Sequence, residues 1–159
     1  MHFAPQNKEE NPLLLQRQSH FAPQNKEDFM LDKMIGFIGA GNMGSAMIGG
    51  ILDASLVTTS QIIASAHSPE TLDKIRTKFS IETTQSNEVV AERSDILFLA
   101  VKPNKFSEVL PQIKGHLKPD CIVVSIAAGQ PIANIEALLG EVRPVSYTHL
   151  RAHETLRHL

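Results

Sequence analysis

Two short stretches of this 159-residue chain carry residues whose types and spacing suit chemistry. Gly39-Ala40-Gly41-Asn42-Met43-Gly44 has the spacing G-x-G-x-x-G, in which glycines let backbone N–H groups approach a diphosphate. Near the carboxyl end, His149, His153 and His158 are close enough together to suggest a metal. His149 and His153 would share one face of a helix, the way a helical zinc pair is built. The single cysteine, Cys121, cannot form an internal disulfide. It sits in the apolar run Cys121-Ile122-Val123-Val124 and reads as a buried, unreactive thiol.

Strands and helices must hold the glycine loop in place, and the pattern supplies them from Met34 onward. Met34-Ile35-Gly36-Phe37-Ile38-Gly39 is a short apolar run closed by glycine, the signature of a buried strand. Gly44 to Ala54 reads as a helix with Met43, Met47, Ile48 and Ile51 on its apolar side. A strand at Gln61–Ala66 precedes a helix at Pro69–Lys78, whose proline suits a first helical turn. A short strand follows around Ile81–Thr83, then a short helix near Asn87–Glu92. Asp95–Val101 is the strongest central strand, apolar on both faces. The helix predicted over Pro103–Leu117 carries Phe106, Val109, Leu110, Ile113 and Leu117 inward and should kink at Pro111. Cys121–Ile126 is a fifth strand, and Pro131–Leu139 a fifth helix with Ile132, Ile135, Leu138 and Leu139 inward. Strands alternating with helices predict a Rossmann-like, doubly wound α/β domain: a parallel sheet covered on both faces.

In that frame the glycine motif closes the first strand and opens the first helix, the context that gives it weight. Gly39 permits the tight turn, Gly41 lets amides approach a pyrophosphate, and Gly44 allows helix and strand to pack closely. The helix N-terminus adds oriented N–H groups and a partial positive charge. An NAD site usually ends its second strand with an acid that binds the ribose 2′-hydroxyl. Here that place holds Ser65-Ala66-His67-Ser68-Pro69, with no acid before Glu70, so NADPH is predicted over NADH. His67 suits a 2′-phosphate or a solvated loop equally, and Ser68 suits a phosphate or a helix cap.

Two further loops fall at carboxyl ends of strands, where open parallel sheets bind ligands. Ala100-Val101-Lys102-Pro103 follows the fourth strand and Ser125-Ile126-Ala127-Ala128-Gly129 the fifth. Their small residues leave room for a flat ring. Lys102 would reach a ribose or a substrate carboxylate, unless it is simply solvated.

IGFIGAGNMGSAMIGGIL, then FLAVKPNKFSEVLPQI, then VVSIAAG resemble, in order and spacing, the N-terminal domain of pyrroline-5-carboxylate reductases. The resemblance runs from about Met34 to Arg143. It implies reduction of the C=N bond of pyrroline-5-carboxylate by a nicotinamide cofactor, giving proline. Carried over by position, it implies cofactor contacts at Ile38, Gly39, Ala40, Gly41, Asn42, Met43 and Gly44, at Ser68 near the 2′-phosphate, and at Asn87. It also implies contacts at Ala100, Val101 and Lys102, and at Ala127 and Ala128 beside the nicotinamide. Without it, Asn87 reads as an ordinary helix cap. The residues from Met34 to Arg143 offer no general acid, nucleophile or metal cluster, which suits direct hydride transfer, where the protein supplies orientation.

In that family a helical C-terminal domain completes the substrate pocket and forms the dimer, and the resemblance ends before it. This chain is accordingly expected to lack turnover by itself, and the full-length protein to be a homo-oligomer. Val145 to Thr155 is similar to the translation of a transposase-based sequencing adapter, so residues 144–159 are expected to be non-native and the histidine cluster with them. HFAPQNKE occurs at both His2–Glu9 and His20–Glu27, and residues 1–29 are expected to form a disordered or non-native head. That leaves residues 30–143 as the NADP-binding domain.

Composition sets the outer bounds. Hydrophobic content of 42% with 20% charged residues is ordinary for a globular protein, and the net charge of −2 carries no basic footprint for nucleic acid. The longest apolar runs are too short to span a bilayer and the first residues do not form a signal peptide, so a cytoplasmic location is expected. The alternatives are another NADP-dependent oxidoreductase resembling β-hydroxyacid dehydrogenases, or a nucleotide-binding module without catalysis.

Overall fold

A computed structural model describes residues 30–127 and 129–140, together with the backbone of 143–146. Met1–Met30 forms one unit and Leu31–Leu159 another; the fold below belongs to the second. The head and the histidine tail from residue 147 lie outside the described residues.

Six strands form one sheet: β1 (Ile35–Ile38), β2 (Ile62–Ser65), β3 (Glu82–Thr84), β4 (Ile96–Leu99), β5 (Ile122–Ser125) and β6 (Arg143–Ser146). Their order is β3-β2-β1-β4-β5-β6, and every neighbouring pair is parallel. Five helices connect them: α1 (Asn42–Asp53), α2 (Pro69–Phe79), α3 (Asn87–Arg93), α4 (Phe106–Ile113) and α5 (Ile132–Leu139). The order reverses between β1 and β4, which opens a crevice at their carboxyl ends. This is the predicted Rossmann-like, doubly wound sheet.

Alternate residues of the central strands feed two cores, one on each face. Ile35, Phe37, Ile62 and Ala64 pack with Ile48 of α1 and Ile75 of α2. Ile38, Ile63, Leu97, Leu99 and Val123 pack with Val90 of α3, with Phe106, Leu110 and Ile113 of α4, and with Ile135 of α5. Gly36 is a packing residue that the periodicity did not mark. A Cβ there would stand 1.9 Å from Ser94 Oγ and 2.8 Å from Val90 Cγ1, so only glycine lets α3 lie this close to β1. Cys121 is buried in the core, and desolvation pushes its thiol up to about 11, which keeps it protonated and unreactive at neutral pH.

Several expectations need correction. Met43 is 56% exposed, because Gly44 and Ile48 take the buried positions of α1. Ile132 is 39% exposed in the first turn of α5, where Ile135 and Leu139 make the buried stripe. The single helix predicted over Pro103–Leu117 is a 3-10 turn at Pro103–Lys105 followed by the shorter α4. Pro111 lies inside α4, which closes at Ile113; Lys114 turns extended and Gly115 takes φ +85°, so Leu117 packs against the core from a loop. The sheet also runs past the expected boundary at 143. Arg143–Ser146 pairs with β5 as an edge strand, a setting that tolerates Pro144, which has no N–H.

Candidate functional site

The glycine loop sits at the mouth of the crevice. Gly39 has φ +98°, a left-handed conformation suited to glycine, and a Cβ on it would lie 2.8 Å from the Ala100 carbonyl oxygen. The Gly39 and Ala40 N–H groups donate to the Ser65 carbonyl at 3.1 and 2.9 Å, tying the loop to the end of β2. Ala100 N–H donates to the Ile38 carbonyl at 2.8 Å and ties it to the end of β4. Gly44 is demanded by packing: its Cβ would lie 2.2 Å from the Gly39 carbonyl oxygen. Gly41 differs from both. It is the N-cap of α1, and a Cβ there would meet nothing within 4 Å. The fold itself does not need a glycine at this position, but a diphosphate lying against the backbone would. Asn42 and Met43 follow in the exposed first turn.

Beside the loop is a cavity of about 350 Å³ lined by Ile38, Gly39, Ala66, His67, Gln85, Asn87, Val101, Lys105, Glu108, Val109 and Gln112. It joins the ends of β1, β2 and β4 to one face of α4. Of the residues singled out from sequence, it brings together Ile38, Gly39, His67, Asn87 and Val101. Ser68 and Lys102 lie outside this lining; Lys102 is exposed at the start of the 3-10 turn. Ala127 is half-buried at the end of β5, its N–H 3.4 Å from Ser125 Oγ, and Ala128 is outside the described residues. His149, His153 and His158 are outside them too. Among the described residues no three His, Cys, Asp or Glu side chains group as metal ligands.

From sequence, Ser68 and Asn87 both read as candidate helix caps. Ser68 occupies the N-cap position of α2, yet its side chain makes no capping hydrogen bond, so its hydroxyl is not committed to the helix. Asn87 is not a cap. Ser86 caps α3 by accepting from Val89 N–H at 3.2 Å, and Asn87 follows it as the first helical residue. The Asn87 amide joins two other elements instead, accepting from Ser65 Oγ at 2.6 Å and donating to Gln112 Oε1 at 2.7 Å.

Sequence reasoning missed the α4 wall. Lys105, Glu108, Val109 and Gln112 recur at i, i+3, i+4 and i+7, a helical stripe legible in principle but masked by the stronger apolar stripe beside it. Lys105 Nζ donates to Glu108 Oε2 at 2.7 Å; this bond, helped by the Lys105 charge and then by His67, holds the Glu108 carboxyl below its usual range. The cavity mouth therefore holds one acid paired with a lysine, while Ile38, Ala66, Val101 and Val109 supply apolar walls for a flat ring.

The family model described as NADP oxidoreductase, coenzyme F420-dependent, matches residues 34–129. A pyrroline-5-carboxylate reductase of Pseudomonas aeruginosa is 44% identical over 116 residues, covering 73% of this chain and 42% of the relative. The solved pyrroline-5-carboxylate reductase of Coxiella burnetii superposes with a TM-score of 0.66 at 31% identity, over 70% of this chain and 41% of that one. The Plasmodium falciparum pyrroline carboxylate reductase with NADP bound gives a TM-score of 0.64 at 30% identity, over 74% and 42%. The chain thus spans about two fifths of the length of these relatives.

Proposed function

This chain belongs to the family described as NADP oxidoreductase, coenzyme F420-dependent, and from that premise we propose that it is the NADPH-binding part of a reductase converting 1-pyrroline-5-carboxylate to L-proline. The observation that carries the reading is Gly41, a helix N-cap glycine whose missing side chain leaves open space at the sheet's switch point. The identity with reductases of that name supports the substrate, and the reductase with NADP bound supports the cofactor.

Each residue set then has a task. Amides of the Gly39–Gly44 loop and the N-terminus of α1 hold the diphosphate. His67 and the uncommitted Ser68 hydroxyl receive the 2′-phosphate, and no carboxylate at the end of β2 repels it. The cavity under Asn87 takes the adenosine. Val101 forms one wall of that cavity, with Ala100 and Lys102 next to it in the chain, and Ala127 and Ala128 border the nicotinamide. NADPH supplies the hydride when bound; the chain holds the ring in position for transfer to the imine carbon. The remainder of the substrate pocket, and the contacts of a homo-oligomer, belong to the part of the relatives' length that this chain does not span. The nucleotide-binding domain excludes residues 1–29 and the segment after Ser146. The protein acts in the cytoplasm on a small molecule, without nucleic acid. No helix among the described residues is long and apolar enough to cross a membrane.

Nicotinamide fluorescence titration tests the reading. The chain should bind NADPH at least about tenfold more tightly than NADH, a difference of about 1.4 kcal/mol. It should form no proline from pyrroline-5-carboxylate by itself. A chain that binds neither nucleotide, or prefers NADH, overturns the cofactor assignment.

A further inference from the structure

We infer that Gln112 is the residue that reads the adenine ring, presenting its side-chain N–H groups to a ring nitrogen at the end of a hydrogen-bond chain that begins at Ser65. This rests on the NADPH reading above and adds to it a specificity residue on α4.

Direction along the chain is fixed from its buried end. Ser65 is 1% exposed and its hydroxyl has one proton to give. The Phe37 carbonyl, at 3.5 Å, is too far to hold that proton, whereas Asn87 Oδ1 is at 2.6 Å. With its oxygen facing Ser65, the Asn87 amide turns its NH₂ outward and donates to Gln112 Oε1 at 2.7 Å. The Gln112 oxygen is thereby taken, and the group's free end is the NH₂. Among the described residues Gln112 Nε2 has no partner, and Gln112 lines the cavity. The other polar groups on this helix face are engaged with each other, Lys105 with Glu108.

Apolar walls beside an oriented donor suit a flat heterocycle whose edge carries acceptor nitrogens. Adenine has three such ring nitrogens, and an open parallel sheet seats the adenosine of its dinucleotide beside the ends of β1 and β2. An amide locked as a donor also disfavours rings that present N–H at the same edge, because two donors would then face each other across a partly desolvated gap.

Calorimetric titration of the full chain with adenosine 2′,5′-bisphosphate and its 1-deaza, 3-deaza and 7-deaza counterparts tests this. Gln112→Leu should weaken the parent nucleotide about three- to tenfold, the effect of one neutral hydrogen bond. One deaza analogue should show the same loss on the wild-type chain and no further loss on Gln112→Leu, since both changes remove the same bond. Gln112→Glu keeps the acceptor for Asn87 but replaces the free donors with a carboxylate oxygen, so its loss should exceed that of Gln112→Leu. Because Gln112 is exposed, both variants should melt as the wild type does. Deaza losses of equal size on wild type and Gln112→Leu, or unchanged affinity in Gln112→Leu, would overturn the inference and leave the NADPH reading intact. A wild-type chain that does not bind the bisphosphate at all overturns both.

Discussion

Ser65 at the end of β2 and Asn87 at the start of α3 are joined by a hydrogen bond of 2.6 Å, Ser65 Oγ donating to Asn87 Oδ1. The contact couples a fully buried hydroxyl to a side chain that lines the cavity. Removing Asn87 strands that hydroxyl, because its next acceptor is the Phe37 carbonyl at 3.5 Å. Asn87→Ala should therefore cost about 1–3 kcal/mol in urea unfolding. Ser65→Ala combined with Asn87→Ala should recover part of the loss, since no buried hydroxyl is then left unpaired.

Gly41 and Gly44 should respond oppositely to alanine. Gly44→Ala forces a Cβ to 2.2 Å from backbone oxygen and should destabilise the fold by about 1–3 kcal/mol or more. Gly41→Ala meets no protein atom and should change stability by no more than about 1 kcal/mol, the cost of alanine at an N-cap. Its affinity for NADPH should nevertheless fall at least about tenfold, or about 1.4 kcal/mol. Equal NADPH affinity in Gly41→Ala and wild type would show that the loop does not seat a diphosphate.

Ser68→Ala separates cofactor binding from capping. A capping serine loses about 1 kcal/mol of stability when cut to alanine, but this hydroxyl does not cap. The variant should unfold at the wild-type urea midpoint while binding NADPH more weakly and NADH unchanged. A shifted midpoint with unchanged NADPH binding would return Ser68 to a structural role.

Asp95 should make the fold sensitive to acid. Lys118 Nζ donates to it at 2.9 Å and Met34 N–H at 2.8 Å, and together they hold its carboxyl below the usual range. A depressed carboxyl stabilises the fold at any pH above its unfolded value, about 4. That contribution is lost as pH falls through the lower, folded value. Unfolding midpoints measured from pH 6 downward should drop below about pH 4, and Asp95→Asn should start lower and flatten the drop. An unchanged slope in Asp95→Asn would assign the acid sensitivity elsewhere.

Much of this molecule was legible from residue order, because the signals are local. A 3.6-residue or continuous apolar period marks an element wherever it packs, and glycine spacing marks a tight turn. Hence strands β1 to β5, all five helices and the loop from Gly39 to Gly44 were found within a few residues of their bounds. The missing β6 and the shortened α4 have non-local causes. A proline-bearing segment becomes a strand only because an open sheet edge is available beside β5. The apolar stripe of α4 is interrupted by chain reversal at Gly115, although Leu117 still reaches the core.

The site divides along the same line. The sequence by itself determined that a G-x-G-x-x-G loop lies between the first strand and the first helix and that no acid stands between the second strand and Glu70, since both depend on residues close together in the chain. Only the tertiary structure decided that Gly41 is free of protein contact while Gly44 is not, that Ser68 leaves its hydroxyl uncommitted, and that Asn87 bridges Ser65 to Gln112. The last of these depends on residues more than twenty positions apart in the chain, 22 between Ser65 and Asn87 and 25 between Asn87 and Gln112. Hydrogen-bond direction and steric room at such pairs are properties of the packed sheet and helices, and no spacing rule along one chain encodes them.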